Sequence, residues 1–406
     1  MTVQDTELGG PLKAKGGVEP VAPGVYSVGV QGNGFAVETG RGLLLVDTGA
    51  SRARVPEVLA ALREHTGAPL RWIVYSHGHL GYNYGVPAFL EDAERRGDPR
   101  PTIVAHANVV RRYRRYIETA GLQNHINAMQ FRRPKDALPP VPPLTFPDAT
   151  YTGTLTLHAG RDRTVRLIEA PSETDDATAV WLPDERILYA GAAVIDSIPN
   201  IGTPLRTLRD AVRWADTLDR LAALDPAVLV PEFGPVRREG IGRVLTGTAA
   251  ALRWLRAETV ERLNRGMSAV EILHDLEYPA ELFDVPWMRE TYGHREFIVR
   301  DIVRSETGWW DGNPTSLHPA PPDAAAAAVA DAVADKAAVL AKARELRDAG
   351  RVQEALHVVD VLALAPDGPP DAAPEIAEAR SLKAELCALR AAEVTSYVSR
   401  SLYRRA

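Results

Sequence analysis

The sequence predicts an α/β layered domain followed by an all-helical domain, and two patterns indicate this order. Between residues 25 and 235, short runs of β-forming apolar residues alternate with amphipathic helical segments, as in layered α/β folds. Beyond about residue 238 the chain is rich in Ala, Leu, Arg and Glu at helical spacing. We therefore expect one domain over residues 1–238 and a helical domain over residues 239–406.

The elements of the first domain follow from periodicity and flanking turn residues. A helix is expected from residue 55 to 62, where apolar residues recur every three or four positions after an N-cap at Ser51. A second amphipathic helix is expected over residues 208–224. Strands are predicted at residues 42–47, 70–75, 102–105, 154–158, 165–169, 179–182, 187–190 and 227–230.

The helical half is divided by breaker residues. Residues 309–322 hold Gly, Pro and Asn and predict a loop. Beyond it we expect helices over residues 324–349 and 352–365, joined at Gly350, then a Pro-rich linker over 366–374 and a last long helix. Stacked helices of this kind usually bury one face against a partner.

Composition narrows the class of protein. With 406 residues, 45% hydrophobic and 25% charged, the chain suits a soluble protein of two domains. No apolar run approaches the ~20 residues of a membrane helix, and the first two dozen residues lack the pattern of a secretory signal, so a cytoplasmic location is expected. A net charge of −6 argues against a nucleic-acid partner. The single cysteine, Cys387, is expected to be a buried, inert thiol.

The sharpest chemical signal is Ser76-His77-Gly78-His79, at the end of a predicted strand. Histidines two positions apart in an extended turn can direct both imidazoles at one metal ion. Two loop histidines that hydrogen-bond to solvent are the alternative. The ordered segments around the motif favour the metal: residues 43–49 upstream, and residues 173–176 and 230–235 downstream.

On these residues the chain resembles the metallo-β-lactamase superfamily, over nearly the whole first domain. The family's H-x-H-x-D-H motif falls on His77, His79, Gly81 and Tyr82, so the first pair of ligands is kept and the second pair is lost. The third ligand position falls on Glu173, as in the alkyl-sulfatase-like branch, where a glutamate serves. The resemblance implies an αββα sandwich with the site at one edge of its two sheets.

The resemblance also implies that the ligands specific to a second metal ion are missing. The bridging aspartate falls on Ala192 and the last histidine on Phe233, which makes that position apolar. We therefore expect one divalent ion per chain, zinc first and Fe(II) as the alternative, held by His77, His79 and Glu173. The alternative is that these residues are the remnant of a metal site and bind no ion.

The helical half resembles the alkyl sulfatase dimerisation domain, most clearly over residues 308–319, which read Gly-Trp-Trp-Asp-Gly-Asn-Pro-Thr-Ser-Leu-His-Pro. This implies a homodimer formed through the C-terminal helices. The histidine that alkyl sulfatases place shortly before an asparagine is missing from residues 196–200. With the second ion lost as well, we expect the chemistry to differ from the family's sulfate-ester cleavage.

Candidate catalytic groups lie beside the predicted ligands. Tyr82 replaces a ligand histidine, and its phenol is expected to donate a proton, or else to fill the vacated space. Asp176 is expected to transfer a proton, and Asp175 is the alternative candidate. Both residues could instead be solvated loop carboxylates without a catalytic role. Asp47 is expected to orient the histidines through hydrogen bonds.

Candidate substrate contacts come from two segments. The family likeness places residues 124–130 beside the mouth of the site, where Asn124, His125, Asn127 and Gln130 are expected either to contact substrate or to hydrogen-bond within the loop. Arg206 is expected to meet an anionic group. For Arg206 and its neighbour Arg209 an orientation toward solvent is the commoner alternative.

The function expected from these residues is that of a mononuclear metal-dependent hydrolase or lyase acting on a small polar metabolite. A non-haem iron enzyme is one alternative, because two histidines and one carboxylate are that class's usual ligands. A non-catalytic, metal-free binding protein of the same fold is another.

Overall fold

The computed structural model of the protein describes residues 17–131, 143–158, 163–366 and 374–405. These residues form two compact units. The first contains the described residues up to Asn124 and those from 143 to Glu306, and the second contains those from His125 to 131 and from Thr307 onward. The domain boundary expected after residue 238 is not tested by these compact units and stays a prediction.

The first sheet has seven strands in sequential order. Its first four strands are antiparallel, and β4 to β7 run parallel to one another. The strands are β1 Val18–Ala22, β2 Val25–Gly29, β3 Asn33–Thr39, β4 Gly42–Val46, β5 Leu70–Val74, β6 Thr102–His106 and β7 Ala149–Tyr151.

The second sheet has five strands in the order β12-β11-β10-β9-β8. Only β11 and β12 are parallel. The strands are β8 Thr154–His158, β9 Thr164–Glu169, β10 Thr178–Leu182, β11 Ile187–Ile195 and β12 Val228–Phe233.

In the described part of the chain, nine helices accompany these sheets in chain order. The fourth, α4, crosses from the first compact unit to the second, and α6 to α9 belong to the first unit. They are α1 Val55–Arg63, α2 Val86–Arg96, α3 Asn108–Glu118, α4 Ala120–Gln130, α5 Ala211–Ala222, α6 Ile241–Asn264, α7 Ala269–Asp275, α8 Ala280–Phe283 and α9 Arg295–Thr307.

The two sheets pack face to face with helices outside, which confirms the αββα sandwich. Strand β10 illustrates the packing: Val180 and Leu182 join the core between the sheets, whereas Ala179 and Trp181 face the outer core with α5. This alternation is the two-residue period of a strand buried on both faces. The outer face of the first sheet is covered by α1, α2 and α3.

The sequence prediction missed four strands, β1, β2, β3 and β7, and shortened β11. Strand β11 continues beyond residue 190 through Gly191, where φ is +52° and the register with β12 shifts. A glycine in a strand pattern commonly marks such an irregularity.

The second unit consists mainly of helices, which confirms its predicted class. Its hydrophobic core lies between the helices from residue 322 onward. None of the helices that the structure describes combines the length and the apolarity required to span a bilayer. The helices are α10 Pro314–Leu317, α11 Pro322–Asp331, α12 Lys336–Asp348, α13 Val352–Ala363, α14 Pro374–Glu393 and α15 Tyr397–Tyr403.

One helix prediction in this unit was wrong. The single helix expected over residues 324–349 is two helices, α11 and α12. The Asp335 side chain accepts a hydrogen bond from the backbone N–H of Ala338, so it caps a new helix rather than continuing the old one. The predicted linker over 366–374 lies largely outside the described residues.

Substitution of Gly202 by alanine should destabilise the first unit. Gly202 has φ +68°, and a Cβ there would lie 1.9 Å from the Phe297 carbonyl oxygen, so both the backbone and α9 would have to move. We expect a loss of more than about 2 kcal/mol in the free energy of unfolding, measured by urea denaturation. Gly242→Ala, inside α6 with open space around it, is the control and should be neutral or slightly stabilising. A Gly202 variant as stable as this control would contradict the assigned contact.

Candidate metal site

Two imidazoles and one carboxylate converge at one edge of the sandwich. One ligand atom from each of His77, His79 and Glu173 lies within 4.8 Å of the other two. His77 Nε2 is 2.9 Å from His79 Nδ1, and His79 Nδ1 is 3.6 Å from a Glu173 carboxylate oxygen. The three predicted ligands are therefore brought together.

The two sheets jointly place these ligands. The histidines follow the end of β5 in the first sheet, and Glu173 lies in the loop between β9 and β10 of the second. The backbone N–H of Thr178, at the start of β10, donates to the Ser76 carbonyl oxygen at 2.7 Å. This hydrogen bond ties the two ligand loops together.

A buried carboxylate orients the first histidine, as predicted for Asp47. Asp47 accepts hydrogen bonds from the Ser76 backbone N–H at 2.9 Å, from the Ser76 hydroxyl and from the Asn83 amide at 3.1 Å. Ser76 Oγ in turn lies 2.9 Å from His77 Nδ1. Because the serine proton is given to Asp47, Ser76 Oγ accepts from Nδ1–H, which leaves the Nε2 lone pair directed at the ligand group.

Both histidines are held in the neutral form that binds metal ions. Burial lowers the pKa of His77 to about 4. Burial also lowers the pKa of His79, and the neighbouring His77 and the guanidinium groups of Arg209, Arg112 and Arg206 lower it further. Two neutral imidazoles with one carboxylate fit a divalent ion such as zinc or iron.

The position of a second metal ion differs from the sequence prediction. Ala192 and Phe233 were expected to leave an apolar space, but the buried carboxylate of Glu232 accepts a hydrogen bond from the Tyr82 hydroxyl there. Its other oxygen, Oε2, is buried without a hydrogen-bond partner among the described residues. Burial, together with the negative charge of Glu173, raises the pKa of Glu232.

The sequence contained a signal for Glu232 that the prediction did not use. The β12 strand reads Val-Leu-Val-Pro-Glu-Phe and is buried along its whole length. A carboxylate in such a strand is costly unless it has a partner or a function. The prediction aligned the family's histidine with the adjacent Phe233 instead.

Two arginines of the loop before α5 lie at the ligand group. Arg209 has a side chain only 6% exposed and pairs with Glu173 at 3.0 Å, so the solvent-facing alternative was wrong for this residue. The Arg209 backbone N–H donates to Asp301, which fixes the loop on α9. Arg206 lies near enough for its charge to lower the pKa of His79, and burial lowers the pKa of Arg206 itself.

Asp175 and Asp176 are engaged by helix α3. Arg112 donates to an Asp176 oxygen at 2.6 Å and to an Asp175 oxygen at 2.5 Å, and Arg111 pairs with Asp175 as well. Asp176 is fully buried. The Arg112 side chain therefore faces the buried Asp176 and not solvent. Asp176 lies with Arg112 outside the ligand group, and its catalytic role stays a prediction.

The remaining predicted substrate residues lie on α4. Asn124 is the last residue of this segment in the first compact unit, whereas His125, Asn127 and Gln130 belong to the second. Gln130 is buried, so it suits a structural hydrogen bond better than a contact with solvent. Substrate contact by this helix stays a prediction.

Two family models match the chain. One, the Metallo-beta-lactamase superfamily, matches residues 28–232, and the other, Alkyl sulfatase dimerisation, matches residues 268–406. The residues matched by the first model include all three candidate ligands. The second covers most of the helical half, including the Trp-rich segment over residues 308–319.

Curated relatives and a solved structure agree with these models. A linear primary-alkylsulfatase from a Pseudomonas species is 31% identical over 318 residues, 70% of this chain and 58% of the relative. An alkyl/aryl-sulfatase from Saccharomyces cerevisiae is 25% identical over 391 residues, 87% of this chain and 58% of the relative. The chain thus spans 58% of the length of each relative. A stereoselective inverting sec-alkylsulfatase from Pseudomonas has the same fold, with a TM-score of 0.81 at 21% identity over 96% of this chain and 64% of that one.

The structure predicts different outcomes for two neighbouring carboxylates. Glu173→Ala should remove a ligand and abolish tight zinc binding, because only two imidazoles remain. Asp175→Ala breaks ion pairs with Arg111 and Arg112 and should weaken zinc binding by no more than about 10–100-fold. Competition with a chromophoric chelator measures both affinities. Metal retained by the Glu173 variant and lost by the Asp175 variant would refute the ligand assignment.

Proposed function

The chain belongs to the metallo-β-lactamase superfamily, in its alkyl-sulfatase-like branch, and on that basis we propose that it is a metal-dependent hydrolase of small sulfate esters. The observation that supports an anionic substrate is the cationic surrounding of the ligand group. Arg209 lies 3.0 Å from Glu173 and Arg112 lies 2.6 Å from Asp176, and both arginines, together with Arg206, lower the pKa of His79. Guanidinium groups match the oxygens of sulfate and similar anions.

This proposal revises the expectation that the chemistry has moved away from sulfate esters. That expectation depended on missing ligands and on a missing histidine near Asn200. Asn200 itself is buried, and its side-chain amide donates to Glu173 at 2.9 Å, so this segment still contributes a polar group to the site. The relatives named as alkylsulfatases also favour a sulfate ester over an unspecified polar metabolite.

The proposed metal site uses one ion per chain. When bound, a divalent ion supplies Lewis acidity and a water molecule of lowered pKa. His77, His79 and Glu173 would hold it, and Asp47 keeps the Nε2 of His77 available through Ser76. Arg206 would orient the anionic group and offset its charge, whereas Arg209 holds Glu173 in place through their ion pair.

Tyr82 is proposed to act as a proton donor or hydrogen-bond donor. Its ring centroid lies 4.2 Å from that of His77, so it borders the ligand group. Burial and the negative charge of Glu232 raise the pKa of the phenol, which keeps it protonated at neutral pH. A protonated phenol does not suit the role of a base. To stabilise a leaving oxygen, its one O–H would have to turn from Glu232 to the substrate.

Three other functions remain as alternatives, each with a specific consequence. Two histidines and a glutamate also match non-haem iron enzymes, in which case protein purified anaerobically would contain iron. A lyase would release product without consuming water. A metal-free binding protein would tolerate alanine at His77. The cytoplasmic location expected from the sequence stays a prediction.

Sulfate release from hexyl sulfate should depend on metal and on Arg206. We expect chelation to abolish the activity and zinc to restore it. Arg206→Ala should lower kcat/KM about 10–100-fold, since a hydrogen bond to a charged group contributes about 1.5–3 kcal/mol. Arg243→Ala, an exposed arginine on α6, is the control. Metal-loaded protein that releases no sulfate from short alkyl or aryl sulfates would contradict the proposal.

Elemental analysis should give one tightly bound ion per chain. Gly81, Ala192 and Phe233 offer no ligand atom, and the Tyr82 hydroxyl is already bonded to Glu232. Gly81→Asp combined with Tyr82→His should not recruit a second ion, because the bridging ligand is still absent. Two equivalents that survive dialysis in the unaltered protein would show that Glu232 completes a second site.

We also propose that the chain forms a homodimer through its C-terminal helices. The matched dimerisation region contains exposed apolar residues, including Trp309 at 70% and Trp310 at 46%. Large exposed apolar side chains of this kind are typical of association surfaces.

Light scattering at micromolar concentration should give the mass of two chains. Trp309→Asp should shift the equilibrium to monomer, whereas Ile117→Asp, at an apolar residue 56% exposed and outside the matched region, should not. A monomeric unaltered protein would exclude the dimer, and a Trp309 variant that stays dimeric would exclude this segment from the interface.

A further inference from the structure

A cavity of about 370 Å³ lies directly beside the ligand group and is lined mostly by charged side chains. Glu173 is part of its wall, so the cavity adjoins the candidate metal site. Its volume is within the range of small-molecule sites, about 300–1,000 Å³. Five arginines line it, from α3 and from the start of α5: Arg111, Arg112, Arg115, Arg209 and Arg213.

Few of the residues that line this cavity have aliphatic side chains. Pro171 and Leu208 are its aliphatic members, and the other lining residues carry charges or hydroxyl groups. A long alkyl chain in such a space would displace water from guanidinium and carboxylate groups without replacing their hydrogen bonds, which is unfavourable. The cavity therefore suits a polar substituent of the substrate better than a hydrocarbon tail.

Three of the five arginines already have carboxylate partners. Arg111 pairs with Asp175, Arg112 with Asp175 and Asp176, and Arg209 with Glu173. These pairs hold the wall in place and leave little net charge. They are structural contributions to the cavity.

The other two arginines are not compensated in this way. Within the described part of the chain Arg115 forms no ion pair, and its guanidinium only lies 5.8 Å from the centre of the Tyr116 ring. Arg213 is 3.7 Å from Glu169 and its side chain is 51% exposed, a distance and exposure at which an ion pair contributes little. Both line the cavity together with the carboxylate of Asp210, which accepts hydrogen bonds from the backbone N–H groups of Val212 and Arg213. The cavity therefore contains guanidinium charge that is available to a ligand.

From this arrangement we propose that the cavity binds a second anionic group of the substrate, a carboxylate or a phosphate, anchored by Arg115 and Arg213. The inference rests on the proposed function, since the reacting sulfate ester would lie at the ligand group. The substrate class is then a small dianion, not a detergent-like alkyl sulfate. Arg115 and Arg213 act as specificity-determining residues.

Non-hydrolysable sulfonates test this without relying on turnover. Alkanesulfonates of two to eight carbons would be compared, by calorimetry on the metal-loaded protein, with equal-length chains that end in a carboxylate or in a phosphate. We expect at least one anion-ended series to bind about tenfold more tightly than the methyl-ended series at its best length, because each arginine contributes a charge-assisted hydrogen bond. The anion that shows the preference identifies the group.

Arg115→Ala should reduce this preference about tenfold. Arg114→Ala is the matched control, because Arg114 lies on the same helix, is exposed and does not line the cavity. Equal binding of all series, tighter binding of the methyl-ended series, or a preference unchanged in the Arg115 variant would overturn the proposal. A protein that prefers the anion-ended probes but releases no sulfate either from hexyl sulfate or from alkyl sulfates that end in a carboxylate or a phosphate would uphold the cavity and refute the sulfate-ester function. Sulfate release without the preference would do the reverse.

Discussion

The hydrogen bonds of Asp47 with Ser76 fix the candidate site. Asp47 is buried and has φ +60°, and burial raises the pKa of its carboxyl to about 6, so this residue costs stability that its hydrogen-bond donors offset. The Ser76 hydroxyl in turn orients His77 through its hydrogen bond with Nδ1. The carbonyl oxygen of Ser76 accepts a hydrogen bond from the N–H of Thr178 in the other sheet. One short segment thus sets both the tautomer of a ligand and the distance between the two ligand loops.

The source of positive charge distinguishes this site from a two-metal centre. A buried hydrogen bond between Tyr82 and Glu232 lies where relatives are expected to hold the second ion. Positive charge is supplied instead by arginines, of which Arg209 is paired with Glu173 and buried. Fixed guanidinium groups stabilise an anion without exchange of ligands, but they cannot activate water. The single metal position would therefore perform the chemistry, and the arginines would perform recognition.

Sequence patterns correctly predicted those features of the fold and of the site that depend on the spacing of nearby residues. The interval between His77 and His79, the position of Glu173 after a strand and the αββα order were all readable, because each depends on residues close in the chain or on a family pattern. Arg112 and Glu232 were missed, since their roles depend on partners far away in the sequence: Asp176 lies 64 residues from Arg112, and Tyr82 lies 150 residues from Glu232. The sequence pattern identifies Arg112 as a polar residue of a helix, but it does not show that the buried carboxylate of Asp176 faces it.

Anomalous diffraction at the zinc absorption edge, on crystals of protein purified without chelator, tests the central claim most directly. The account predicts one peak per chain at about 2.0–2.2 Å from His77 Nε2, His79 Nδ1 and a Glu173 oxygen. Two peaks per chain, or a single peak coordinated by Glu232, would contradict it.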